Sequence, residues 1–201
     1  MRKLLAALAF AAALPVLAAP ADPEALIRKM TQEVLEAAAS DPRLAAGDRA
    51  RALRVAEEKI FPLIDFREAT RIALGRTWWR ATREQQERLV TEFRALLVHT
   101  LGAAQRYEGQ TVRVLPVRMR AGDTEVTVQN QYIRPGGKPM RLDYHMHKTG
   151  EGWKIYDIAV EGVSLVLTYR SEFEELVKQV GIDGLIKRIA DKNSPLKLSG
   201  S

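Results

Sequence analysis

The sequence predicts an α+β domain in which helices pack on a curved four-stranded antiparallel sheet. Up to about Arg106, apolar residues recur every three to four positions, as in amphipathic helices. From Val112 to Val160 apolar and polar residues alternate, which is typical of strands with one buried face. Helical spacing returns after Val160. Helices, then an antiparallel meander, then more helix indicate the α+β class, and such a curved sheet can enclose an apolar cavity.

The N-terminus has the parts of a secretory signal peptide. Arg2 and Lys3 precede the apolar run Leu4–Leu14, and small residues follow. We expect the first 18 residues to be the signal, with cleavage between about Ala18 and Ala21. The apolar run is too short to span a bilayer. The sequence therefore predicts export to the periplasm.

Composition narrows the class of protein further. The chain has 201 residues and no cysteine, so an exported domain must be stabilised by its core alone. Loss of two signal-peptide cations would lower the net charge from +6 to +4. This weak charge serves solubility or attracts anionic lipid headgroups, and interleaved acids argue against nucleic acid. We expect one domain over residues 22–193 and a mobile tail over 194–201.

Four helices are predicted before the sheet. Three are short, and aspartates and breakers bound them. The fourth begins at the capping box Thr82-Arg83-Glu84-Gln85 and continues to about Arg106. The three short helices span Asp22–Ala39, Asp48–Ile60 and Asp65–Leu74.

The predicted strands are followed by a glycine corner and another helix. Gly162 breaks the last strand, and Ser164 is a helix N-cap candidate. Asp183 begins a final short helix that ends near Ala190. The four strands cover about Val112–Arg120, Glu125–Ile133, Met140–His147 and Trp153–Val160.

Reactive side chains are sparse. Asp143, His145 and His147 share one strand face and form the best metal-ligand set, but we expect that face to meet solvent, so no metal is predicted. Asp157 is an acid among apolar neighbours. It could be a general acid or base. Alternatively it pairs with an arginine or caps backbone near the glycine corner, and this structural interpretation is favoured.

The apolar side chains admit two interpretations. Large, flexible and aromatic residues on the third strand are expected to face the same helices that carry Phe93, Leu97, Val166 and Tyr169. They either fill a core or line a ligand pocket, and the pattern alone fits both. The strand residues concerned are Met140, Leu142, Tyr144 and Met146.

Several short motifs together are similar to those of one family. In order and spacing, from about Pro23 to Asn193, they resemble the MlaC family, also called toluene-tolerance or Ttg2-type proteins. The pair V-E-G-V-S-L and G-I-D-G-L is the most specific part. The motifs lie at Phe61–Phe66, Ala73–Trp78, Glu92–Arg94, Arg141–Tyr144, Tyr156-Asp157, Val160–Leu165 and Gly181–Leu185.

The resemblance implies a fold and a role. Proteins of this family have an NTF2-like fold and carry glycerophospholipid through the periplasm, which maintains outer-membrane lipid asymmetry. Their partners are an outer-membrane MlaA-type lipoprotein–porin complex and an inner-membrane MlaD-type MCE protein of an ABC transporter. The resemblance implies no catalysis, no metal and no cofactor other than the lipid cargo.

The same resemblance suggests which residues contact lipid tails. Arg141, Asp143 and Asp157 are expected to be structural instead. Two rival functions remain open: an isomerase- or dehydratase-like enzyme that uses Asp157 or Asp143, and an interaction module that stabilises a membrane transporter. The tail-contact candidates are Trp78, Phe93, Leu97, Met140, Leu142, Tyr144, Met146, Val163, Val166 and Tyr169.

Overall fold

The computed structural model describes residues 22–101 and 109–198. Over these residues it contains six α-helices and one antiparallel sheet of five strands in the order β1-β2-β3-β4-β5. The predicted signal peptide and the end of the predicted long helix lie outside the described residues. The helices are α1 Pro23–Ser40, α2 Pro42–Ala45, α3 Arg49–Lys59, α4 Phe66–Leu74, α5 Arg83–Leu101 and α6 Leu165–Leu198. The strands are β1 Thr111–Val114, β2 Glu125–Ile133, β3 Met140–Thr149, β4 Gly152–Val160 and β5 Val163–Ser164.

Helix starts follow the caps that the sequence supplies. Asp65 accepts a hydrogen bond from the Glu68 amide (2.9 Å), which confirms it as the cap of α4. Thr82 and Gln85 exchange reciprocal bonds of 3.0 and 3.2 Å, so the predicted capping box is present. Asp41 also caps the short helix α2, which was not predicted.

The described residues form five strands, one more than the sequence predicted. After β4, Glu161 and Gly162 both have positive φ (50° and 81°), as a two-residue hairpin turn requires. The chain then pairs back on β4, with Val160 opposite Val163. Ser164 ends this fifth strand and also caps α6, because its Oγ accepts a bond from the Leu167 amide (2.9 Å).

A β-bulge in β4 changes the face of the sheet on which the side chains of this strand lie. Met146 pairs with Ile155, whereas His145 pairs with Asp157, so Tyr156 has no residue opposite it in this register. The extra residue puts Ile155 on the face of Met146 and Asp157 on the opposite face, beside His145.

Buried apolar residues form two separate clusters. The helical cluster contains no strand residue, and the sheet cluster joins α1 to the sheet. The opposite face of the sheet meets α6, because Asp157 on that face bonds to the Val166 amide, so both faces meet helical structure. The helical cluster is Ala69, Ala73, Leu74, Trp78, Leu89, Phe93, Leu96, Leu97, Val166, Phe173, Leu185, Ile186 and Ile189. The sheet cluster is Ile27, Met30, Val114, Val128, Met146, Trp153 and Ile155.

Two expectations about the faces of β3 are wrong. Met146 belongs to the sheet cluster, with Tyr144 packed against it, and neither joins the cluster of α5 and α6. The polar face does not simply meet solvent: Asp143 is 2% exposed, and His147 Nε2 lies 3.1 Å from Asp65 Oδ2 at the start of α4. A period of two shows neither the bulge in β4 nor the packing of α1 on the Met146 face. These two features explain why the side chains of β3 have other neighbours than expected.

The C-terminal helix is longer than predicted. It breaks at Gly181 (φ 72°, ψ −178°), two residues before the predicted start of the last helix at Asp183, and then continues to Leu198 instead of ending near Ala190. Asn193 is fully buried, and its Nδ2 donates to the Glu92 carbonyl oxygen (3.0 Å). The first part of the expected tail is therefore helical, and residues 199–201 lie outside the described part. No helix of the described chain has the length and apolar character needed to cross a bilayer.

Candidate functional site

An apolar pocket lies where the two clusters meet. We call this boundary the seam. One wall comes from the sheet side, through Ile64, Ile155 and Ile158, and the other belongs to the helical cluster. The free space within the pocket is only about 30 Å³. The full lining is Ile64, Phe66, Ala69, Leu97, Ile155, Tyr156, Asp157, Ile158, Leu165 and Val166.

Asp65 joins α4 to the sheet at one end of the seam. Its backbone amide donates to the Ile155 carbonyl oxygen (2.8 Å), while its side chain caps α4. Ile64, just before it, forms a parallel bridge with Ile155. These bonds hold the two apolar neighbours of Asp65, Ile64 and Phe66, in the pocket lining.

Asp157 joins α6 to the sheet on the other wall. Its Oδ1 accepts a hydrogen bond of 3.1 Å from the Val166 amide, one of the first N–H groups of α6 that have no partner within the helix. The residue is 7% exposed. The interpretation of Asp157 as a cap near the glycine corner is confirmed. A carboxylate that is engaged in this bond stabilises the fold.

The predicted structural role of Arg141 and Asp143 is also confirmed. Arg141 Nε donates to Asp143 Oδ1 (2.9 Å), and the buried carboxylate raises the pKa of the arginine by this hydrogen bond and by its charge. The Arg141 amide donates to Glu161 at the hairpin turn. In the part of the chain that the structure describes, no three His, Cys, Asp or Glu residues are placed to hold a metal ion.

The structure distributes the ten predicted tail-contact residues over several places. Leu97 and Val166 line the pocket. Trp78, Phe93 and Tyr169 belong to or pack against the helical cluster, and Tyr144 and Met146 do so for the sheet cluster. Val163 is 61% exposed, and Met140 and Leu142 are half-buried on β3. Their contact with lipid stays a prediction.

Sequence reasoning missed most of the lining. Ile64 and Phe66 were visible as the apolar neighbours of a predicted helix cap, in the motif F-P-L-I-D-F. Ile155 and Ile158 were assigned to a strand, but the pocket crosses the bulge at Tyr156, which alternation does not reveal. Ala69 and Leu165 carried no distinguishing signal.

The pocket can do little chemistry as it stands. Its surface is almost wholly apolar, and its one carboxylate is used as a helix cap. About 30 Å³ accommodates roughly one or two water molecules and no acyl chain. A long apolar ligand could enter only if the helical wall moved away from the sheet.

The fold and the pocket define a class of protein: an α+β domain whose helices and sheet meet around an apolar space. The family model of the MlaC protein matches residues 28–191, which is most of the chain. The protein belongs to the MlaC family.

A solved structure supports this assignment. The chain resembles the phospholipid-binding protein from Ralstonia solanacearum, determined in complex with a phospholipid. The two share 35% sequence identity, and their structures superpose with a TM-score of 0.78. The match covers 88% of this chain and 99% of the other, so the predicted fold class is confirmed.

Proposed function

We propose that this protein is a periplasmic carrier of glycerophospholipid. It takes up one lipid at a time and shuttles it between an outer-membrane MlaA-type lipoprotein–porin complex and an inner-membrane MlaD-type MCE protein of an ABC transporter. It thereby maintains the lipid asymmetry of the outer membrane. The protein itself catalyses no reaction.

The observation that carries the proposal is family membership over residues 28–191, joined to an apolar pocket between two cores. Each buried methylene group is worth ~0.8 kcal/mol, so two acyl chains need on the order of 20 kcal/mol of shelter from water. A core that is divided at the seam can supply that shelter without the loss of packing inside either half. Its two halves can separate at the seam while each keeps its own packing.

The seam also suggests where the lipid headgroup lies. The β5–α6 corner beside the pocket carries exposed apolar side chains, Val163 (61% exposed) and Leu167 (46% exposed). Leu165, between them, lines the pocket. Acyl tails enter the seam past this corner, and the headgroup remains in water, which permits several headgroup types.

Extraction tests the carrier directly. The mature protein is purified without added lipid, extracted with organic solvent and analysed by mass spectrometry. We expect glycerophospholipid at about one molecule per chain. A lipid-free extract with full binding to a membrane transporter would instead identify an interaction module. A lipid-free extract with an activity lost in Asp157→Asn would identify an enzyme.

Two substitutions locate the lipid. Val166→Trp enlarges a buried side chain that lines the pocket, so it should sharply reduce the co-purified phospholipid. Leu142→Arg tests the predicted lipid contact of a half-buried β3 residue that is absent from the lining. If the tails lie in the seam, lipid content should stay near wild type and Leu142 is not a tail contact. Circular dichroism checks that both variants fold. The opposite ranking would place the tails on the β3 face and not in the seam.

A further inference from the structure

A basic cleft lies beside the seam, between the 3₁₀ segment Gly75–Arg80 and α6. It has a volume of about 520 Å³ and contains four cationic side chains and one carboxylate, Glu174. Thr77 and Val177 complete the lining. The cationic residues are Arg76, Arg80, Arg170 and Lys178.

The arginines of this cleft are not neutralised within the fold. Among the described residues, no carboxylate forms an ion pair or hydrogen bond with Arg76, Arg80 or Arg170, and Lys178 has only a long contact of 3.9 Å with Glu175. Many other arginines of the protein do have acidic partners, for example Arg67 with Glu87 at 2.7 Å. The cleft therefore presents a local excess of positive charge to the solvent.

Arg170 is held in place by packing. A Cβ atom at Gly75 would lie 2.9 Å from Arg170 Nη2, so the guanidinium lies close against the backbone at Gly75. Gly75 also has a positive φ of 53°. The Arg170 Nε is buried, and no hydrogen-bond acceptor for it lies within residues 22–101 and 109–198. A cation that is immobilised without an acidic partner loses little side-chain entropy when it meets an anion.

Exposed apolar side chains lie close in sequence to the same charges. Trp79 is 73% exposed and lies three residues after Arg76, where side chains of a 3₁₀ helix eclipse. Trp79 is outside the lining of the basic cleft and instead lines a separate cleft with Arg67 and Glu68. Leu167, 46% exposed, is one helical turn from Arg170 on α6. Indole rings favour the headgroup region of bilayers, and arginines beside them bind lipid phosphates.

We propose that this cleft docks the protein onto the surface of an anionic phospholipid bilayer. The arginines contact lipid phosphates, and Trp79 enters the headgroup layer. Val166 of the pocket lining is one turn from Arg170, so docking brings the seam close to the membrane. This inference rests on the proposed carrier function, because docking by the cleft supplies the orientation in which the carrier meets lipid.

Vesicle flotation at low and physiological salt tests the proposal. Vesicles of phosphatidylcholine are compared with vesicles that contain about a third phosphatidylglycerol, as anionic surfaces attract each basic residue. We expect binding to the anionic vesicles alone, weakened as salt rises. Arg76→Ser with Arg80→Ser should lower the affinity by about 30-fold, and Arg76→Lys with Arg80→Lys should retain most of it.

A matched control is available in the loop after β1. Arg118 and Arg120 are exposed and flank Met119, which is 38% exposed, so Arg118→Ser with Arg120→Ser removes the same charge beside a similar apolar residue. We expect its vesicle binding to stay near wild type. An equal loss of vesicle affinity in both double variants would mean that binding depends only on general electrostatic attraction, and it would overturn the proposal.

Tryptophan fluorescence gives a second readout. Trp78 and Trp153 are 4% and 6% exposed, so a blue shift on adding anionic vesicles should come from Trp79 and vanish in Trp79→Phe. Absence of binding to anionic vesicles at low salt would overturn membrane docking. If Arg76→Ser with Arg80→Ser then slowed lipid delivery to an isolated membrane-protein complex, the partner of the cleft would be an acidic protein surface. Bound lipid in the purified variants distinguishes these outcomes from failure of the carrier function.

Discussion

At the scale of single residues, Asp157 attaches α6 to the sheet through a side-chain hydrogen bond. Its bond to the Val166 amide lies in the interior. Asp157→Ala leaves that amide unpaired, so it should lower the free energy of unfolding by about 1–3 kcal/mol. Asp157→Asn keeps an acceptor oxygen and should cost less. Urea denaturation measures both, and equal costs would contradict a capping role.

Tyr144 should make the free energy of unfolding depend on pH in the alkaline range. Burial raises its pKa to about 12, from an ordinary value near 10. The unfolded chain therefore loses this proton first, and the free energy of unfolding should fall as the pH rises from about 10 to about 12. Tyr144→Phe should make that fall shallower, while it changes the stability at pH 8 much less. Denaturation at several pH values checks the slope, and an unchanged slope would contradict the burial of this phenol.

At the scale of elements, Gly181 permits the break in α6. Its φ of 72° with ψ of −178° belongs to a region that other residues rarely adopt. Gly181→Ala should cost about 1–3 kcal/mol of unfolding free energy. Gly150→Ala is the matched control, because its new Cβ meets no atom within 4 Å and its φ is not positive. Thermal melts compare them, and similar shifts in both would mean that the break tolerates a side chain.

The elements also show how far the sequence leads. Asp65, Thr82 and Ser164 act locally, through bonds to the next turn, so their helix starts were predictable from the sequence. The bulge at Tyr156 and the pairing of β5 are long-range features, and they decide which side of the sheet each residue faces. Alternation located four of the five strands, although the first ends at Val114 and not near Arg120, and it could not show that helices cover both faces. This is why the predicted site combined residues of two different clusters.

At the scale of the whole molecule, the buried side chains form two bodies, the helical cluster and the sheet cluster, which meet at the seam. Polar ties cross it at Asp65–Ile155, Asp157–Val166 and His147–Asp65. The pocket between them, about 30 Å³, has no room for acyl chains, so loading with lipid requires the bodies to separate. Packing within each cluster can persist during this movement, because no buried side chain belongs to both clusters. Cluster members that line the pocket, such as Ile155 and Val166, would then contact the lipid.

Spin labels can measure that separation, since the chain has no cysteine of its own. One label at Glu172→Cys on α6 and one at Arg113→Cys on β1 report on the two bodies, and both positions are exposed. We expect their distance to increase on phospholipid loading and to return on delipidation. Labels at Glu172→Cys and Glu87→Cys, both within the helical body, should show no change. A constant distance in the first pair, with lipid demonstrably bound, would mean that the lipid occupies another part of the molecule and that the seam stays closed.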